Sequence, residues 1–151
     1  MTRLLGIDLG RRRIGVAVAD EAGSARPLAT LARGQNVAQD AVVIARLAAE
    51  QRAGELVVGL PLSLDGRVGP QAEETTRWAE GIASLTGLPV ALRDERLTTS
   101  RAGERIGPPR RGRAGGPPGP ERRRARSVRL DREAATLILQ AEIDARRAAP
   151  S

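Results

Sequence analysis

The chain reads as an α/β domain: a mixed β-sheet of about five strands, the first three antiparallel, flanked by helices. Three observations predict this. Three short apolar strands joined by turns fill residues 3 to 31, as in an antiparallel meander. Two helical stripes follow, each closed by a glycine and each succeeded by a short apolar run, which is the pattern of helix–strand units. A last helical stripe covers the C-terminal residues. One domain spanning 1–151 is expected, long enough to bury roughly 70% of its unfolded surface.

The first strand is Arg3 to Leu9, and it carries one carboxylate, Asp8, among apolar neighbours. An unpaired charge beside a core costs several kcal/mol, so Asp8 needs a metal ion, a basic partner, backbone donors or a proton. Gly10 permits a sharp turn before Arg11, Arg12 and Arg13. The second strand is Ile14 to Ala19. There Ile14, Val16 and Val18 alternate with Gly15, Ala17 and Ala19, so one face carries only small residues and something can pack closely on it. Pro27 to Leu31 is a third, weaker strand, with its proline at a strand start.

Asn36 opens a helix, with Gln39 placed for a capping box. Its apolar stripe is Val37, Ala41, Ile44 and Ala48, widened by Val43 and Leu47, and Gly54 is expected to end it. Leu56 to Leu60 is a continuous apolar run, read as a buried parallel strand. A loop from Pro61 leads to Pro70, a favoured first helical residue. The helix that follows packs Trp78, Ile82 and Leu85 and closes at Gly87. Pro89 to Arg93 is a strand that delivers Asp94, Glu95 and Arg96 at its end, and Thr98 or Thr99 caps a short helix to about Ile106.

Residues 107–120 contain five glycines and five prolines, which excludes regular structure there, and 121–126 continue the charge. A flexible Gly/Pro/Arg-rich loop is therefore expected over about 107–126, without helix or strand through Arg110 to Gly116. The last helix is expected to begin at Asp131, with Ala134, Ile138, Ala141 and Ala145 on its inner stripe.

Composition narrows the chemistry. The chain has no Cys, no His, no Tyr and no Lys, and Trp78 is its one aromatic residue. Thiolate sites, disulfides and His-based catalysis are excluded. A general acid or base must be Asp, Glu, a metal-bound water or the substrate itself. A metal ion would need oxygen ligands, which points to Mg²⁺, Mn²⁺ or Ca²⁺. All 25 basic residues are Arg, first a sign of codon bias and second a residue suited to bidentate phosphate contacts. Of the net charge of +7, residues 107–126 hold +6, from seven Arg and one Glu. Such concentration suggests a polyanionic partner, nucleic acid or an acidic protein surface. No apolar run spans a membrane and no signal pattern opens the chain, so a cytoplasmic protein without membrane contact is expected.

Three carboxylates attract attention: Asp8 in the first strand, Glu95 after the fifth, and Asp131 at the expected start of the last helix. If the fifth strand lay parallel to the first and beside it, Asp8 and Glu95 would share the carboxyl edge of the sheet, where α/β proteins bind ligands. Three converging carboxylates need cations, and two Mg²⁺ ions would serve and support phosphodiester cleavage. Each residue also has a plain structural reading. Asp8 could bond its own turn, Glu95 could sit in a surface ion pair, and Asp131 is a good N-cap. Periodicity alone does not choose.

Gly6-Ile7-Asp8-Leu9-Gly10 with Arg13-Ile14-Gly15-Val16-Ala17, then Val57-Val58-Gly59-Leu60-Pro61-Leu62, Asp94-Glu95-Arg96-Leu97-Thr98, and Asp131 with Ala134-Ala135 and Ile138-Leu139-Gln140, resemble the YqgF family in order and spacing. The resemblance covers nearly the whole chain outside 107–126. Members are described as Holliday junction resolvases and as pre-16S ribosomal RNA nucleases, with a ribonuclease H-like fold similar to RuvC. The resemblance implies a divalent-metal-dependent nuclease that uses Mg²⁺ or Mn²⁺, with Asp8, Glu95 and Asp131 as both catalytic residues and metal ligands. It implies trimming of the 5′ end of the small-subunit RNA precursor, or alternatively cleavage of branched DNA, by a monomer or homodimer. Arg96, Arg122, Arg123, Arg124, Arg126 and Arg129 are the expected contacts to nucleic acid. Two features depart from the family: the Gly/Pro/Arg composition of 107–126, and Arg129 where a Lys is usual before the last acid.

Two other classes fit less well. Asp-Leu-Gly after a strand resembles the first phosphate motif of actin and the sugar kinases, but those proteins need two such domains and a Gly-rich adenosine motif. A catalytically silent nucleic-acid-binding module on the same fold is the other, because fold does not determine function.

Overall fold

The structure is a computed structural model that describes residues 3–63, 65–94 and 120–148, and for 121–128 the backbone alone. Five strands form one sheet: β1 (Arg3–Leu9), β2 (Arg13–Ala19), β3 (Ala25–Ala32), β4 (Ala53–Leu60) and β5 (Val90–Asp94). The described helices are α1 (Val37–Gln51), α2 (Pro70–Thr86) and α3 (Pro120–Ala148). The spatial order of strands is β3-β2-β1-β4-β5. The first three pair antiparallel, and β4 and β5 run parallel to β1. The mixed sheet flanked by helices agrees with the class expected from sequence.

The condition set for the sheet edge is met in part: β5 is parallel to β1 but not beside it, because β4 pairs with both. Its last residue, Asp94, pairs with Leu60. Two strand spacings, about 10 Å, therefore separate β5 from β1.

Strand alternation builds two cores. Leu5, Ile7 and Leu9 of β1, Ile14, Val16 and Val18 of β2, and Leu56 and Val58 of β4 meet Ala41 and Ile44 of α1 and Trp78 and Ile82 of α2. The opposite face presents Leu4, Ala17, Ala19 and Val57 to Ala135, Ile138, Leu139 and Ile143 of α3. Here the small residues matter. A β-carbon at Gly6 would sit 2.6 Å from the Leu139 Cβ and 2.8 Å from the Ala135 carbonyl oxygen. One at Gly15 would collide with the Asp131 carbonyl. The close packing expected on the Gly15–Ala17–Ala19 face is thus made by α3.

Helix ends follow local chemistry. The Asn36 side chain accepts from Gln39 N at 3.0 Å, while Gln39 Oε1 accepts from Gln35 N at 2.7 Å, a capping box displaced by one residue. Helix α1 ends at Arg52, in the left-handed region at φ 55, and not at Gly54, because β4 already begins at Ala53. Gly87 closes α2 as expected, at φ 74. Leu85 (55% exposed) and Val43 (41%) lie outside the core, since α1 and α2 bury narrower stripes than their apolar residues suggest.

Helix α3 corrects the expected start at Asp131. It begins at Pro120, eleven residues earlier, so 120–126 are helical and do not belong to a loop. Arg is a good helix former and Pro suits the first turn, so a run that reads as solvated charge is also a sound helix start. Inside the helix Ala134 and Ile138 are buried as expected, but Ala145 is exposed and Ile143 takes the inner position. The expected loop at 107–119 and the short helix at 98–106 lie outside the described residues.

One buried polar contact was not foreseen. Asp40 of α1 is 3% exposed; its Oδ2 accepts from Trp78 Nε1 at 3.0 Å and its Oδ1 from Gly34 N at 2.7 Å. Asp40→Ala would leave two N–H donors unpaired at the α1–α2 contact, and a loss of about 3 kcal/mol is expected. Chemical denaturation followed by Trp78 fluorescence measures it.

Candidate active site

Asp8 is the last residue of β1 on the face that α3 covers, two after Gly6 and paired with Gly15. Asp131 sits on α3, whose backbone at that point lies directly on Gly15. Strand register and the missing Gly15 side chain therefore bring the turn of α3 that bears Asp131 onto the strand position facing Asp8. Both residues are partly buried.

The immediate partner of Asp131 is a cation. Arg13 Nε donates to Asp131 Oδ2 at 2.8 Å, with the two side chains 34% and 23% exposed. Arg13 belongs to the same small-residue face of β2, two positions before Gly15. The N-cap reading of Asp131 fails, since the residue lies inside α3. Arg13 was not singled out from the sequence as a site residue. The period-two pattern through Gly15 and Ala17 was the signal that would have placed it beside α3.

Glu95 and Arg96 follow Asp94 in the chain and lie outside the described residues. Arg122, Arg123, Arg124 and Arg126 lie on the first turns of α3, where side chains are not described. Arg129 is exposed, two residues before Asp131. Gly59 of β4 shares the α3 face with Val57 and pairs with Arg93 of β5, so no β4 side chain stands in the row between Asp8 and β5.

Ion pairs hold α3 against the sheet away from the site. Arg93 Nη1 donates to Glu142 at 3.3 Å, and Arg146 bridges Glu142 and Glu55 of β4. The hydrogen bonds from Arg146 to Glu55 first, and to Glu142 second, hold its proton more tightly than in a free guanidinium. Ala25 N donates to Gln140 Oε1 at 2.9 Å at the other edge. A cavity of about 360 Å³ opens near the Gly10 turn, lined by Arg11, Arg33 and Thr75 among others. Asp8 and Asp131 do not line this cavity.

The donor set fits a hard divalent cation. Asp8 and Asp131 offer only carboxylate oxygens, and Asp131 already holds a positive group at one of them. Among the described residues no cluster of three or more acidic residues forms a metal cage, so a cation held by these two would need a further ligand.

A profile of RuvX, described as Holliday junction resolvase, matches residues 2–145. The chain belongs to this family, also called YqgF. Curated relatives of this RuvX protein carry the name "Putative pre-16S rRNA nuclease". One from Synechococcus elongatus is 41% identical over 144 residues, covering 95% of this chain and 89% of the relative. One from Anaeromyxobacter sp. strain Fw109-5 is 43% identical over 147 residues, covering 97% and 99%. Among solved structures, T. thermophilus RuvC in complex with a Holliday junction substrate superposes with a TM-score of 0.55 at 19% identity, covering 97% of this chain and 96% of that one. That likeness establishes the ribonuclease H-like fold. As a RuvX family member the chain is a nuclease, a hydrolase of a class that works with divalent metals.

Proposed function

We propose that this nuclease uses Asp8, Asp131 and Glu95 to hold Mg²⁺ or Mn²⁺, and that its task is 5′-end processing of the pre-16S ribosomal RNA in the cytoplasm. The observation that carries the site is the seating of α3 on Gly15, which sets Asp131 over the strand position that faces Asp8. The relatives' shared name supports the RNA substrate. The family description favours a second reading, cleavage of branched DNA.

The cation, when bound, supplies a nucleophilic water at neutral pH and stabilises the leaving oxygen. The chain's own residues do the rest. Asp8 is fixed by the backbone of a central strand. Asp131 is fixed by a helix that the Glu142–Arg93 and Glu55–Arg146 pairs tie to the sheet. With no His, Lys or Tyr, proton transfer falls to carboxylates, bound water or substrate.

The test is incubation of purified protein with Mn²⁺ or Mg²⁺ on labelled precursor 16S RNA and on a four-way DNA junction. Metal-dependent shortening of the RNA 5′ end supports the primary reading, and symmetric nicking of the junction alone supports the second. Binding without cleavage of either would favour the silent module. For the grip on substrate, Arg122, Arg123 and Arg124 changed together to Ala should reduce the slope of log K against log salt by about 2 to 3, at 0.7 to 0.9 per phosphate contact. An unchanged slope would remove this segment from the interface.

A further inference from the structure

We infer that Arg13 is a displaceable counter-cation of the site: it neutralises Asp131 when no metal is bound, and metal loading frees it to grip a substrate phosphate. This rests on the nuclease reading above. Three observations carry it. Arg13 meets Asp131 through Nε alone, a single contact rather than the two-pronged pairing that makes Arg–carboxylate bridges strong. The pair is a quarter to a third exposed, so it is a weak tether that solvent and salt screen. The Arg13 main chain is anchored, its carbonyl accepting from Gly10 N at 2.8 Å in the turn between β1 and β2. Only the side chain has to move.

Two other described arginines are engaged differently: Arg33 is held by the Gly10 carbonyl at 3.1 Å and by Glu74 at 3.5 Å, and Arg93, farther from the site, by Glu142. Arg13 is the described arginine whose acidic partner is itself an expected metal ligand. A divalent cation and a guanidinium on one carboxylate repel each other, so the occupancy of one weakens the other. The released guanidinium then lies beside the reacting phosphodiester, which its planar fork suits. Metal binding and substrate binding are thereby coupled through one side chain, and the coupling acts in both directions.

The test compares wild type with Arg13→Gln and Arg13→Lys. By calorimetry with Mn²⁺ alone, Arg13→Gln should bind the ion about two- to fivefold more tightly, the range an exposed pair of this kind allows. Affinity for a short labelled RNA is then measured against salt, at fixed excess Ca²⁺ and without divalent ions. In Ca²⁺, Arg13→Gln should lower the salt slope by about 0.7 to 0.9, and Arg13→Lys should restore it; without divalent ions the slope should not change. If Arg13→Gln weakens Mn²⁺ binding, or lowers the slope equally in both conditions, the displacement idea is wrong and Arg13 is a fixed structural or phosphate contact. If wild type binds no Mn²⁺, the proposed metal site falls together with this inference. If wild type binds Mn²⁺ and Arg13→Gln binds it no more tightly, only this inference falls.

Discussion

Asp8→Asn should abolish metal-dependent cleavage while the protein stays folded. The substitution keeps shape and removes one negative charge from the α3 face of β1. Charge stabilisation by a bound ion is worth several kcal/mol in the transition state, so a loss of at least about a thousandfold is expected. Metal-free stability should change little, because Arg13 already offsets Asp131 and keeps that pairing when Asp8 is neutralised. The metal-free melting temperature should therefore stay close to that of wild type, and the rise produced by Mn²⁺ in wild type should vanish. If Asp8 were half of a structural salt bridge, the same change would cost about 3 to 5 kcal/mol without metal. Thermal melts with and without Mn²⁺, beside a cleavage assay, separate the two.

Gly15→Val should lose both stability and metal affinity. A β-carbon at this position collides with the Asp131 carbonyl, and that atom belongs to a helix backbone that cannot rotate away. Overpacking of this kind costs about 3 kcal/mol or more, equivalent to a fall of roughly 6 to 12 °C in melting temperature for a chain of this size. The displaced helix also carries Asp131 off the row of Asp8, so Mn²⁺ binding should weaken. Gly6→Ala provides the contrast. It also presses on α3, at Ala135 and Leu139, one and two turns from Asp131. It should cost stability while disturbing metal binding much less. Equal loss of Mn²⁺ affinity in both variants would mean that Gly15 has no special part in placing Asp131.

The sequence made the sheet legible where side-chain alternation is strict. In β2, Ile14, Val16 and Val18 went to one core, and the small residues opposite received α3. Partner choice among parallel strands was not legible, since an apolar run such as Leu56 to Leu60 does not say which strands flank it. That is why the place of β5 beside β1 stands only as a condition in the sequence, and β5 lies beyond β4. The start of α3 was hidden because arginines 122 to 124 serve equally as a solvated loop and as helix formers. Of the proposed site, Asp8 and Asp131 were legible as unusual carboxylates; Asp8 lies on the face of the sheet that α3 covers, and Asp131 lies on α3. The Arg13–Asp131 pair spans 118 residues of sequence and has no local signal beyond the strand parity of Arg13. Asp40 was overlooked for a similar reason, because a carboxylate four residues after an N-cap reads as first-turn charge until Trp78 arrives from α2.

The central claim is that Asp8 and Asp131 share a divalent cation, and an anomalous-difference map from crystals soaked in Mn²⁺ tests it most directly. The account predicts one or two peaks within about 2.0 to 2.5 Å of carboxylate oxygens of both residues, with Glu95 completing the set. No peak between Asp8 and Asp131, with Arg13 still seated on Asp131 at saturating Mn²⁺, would contradict it.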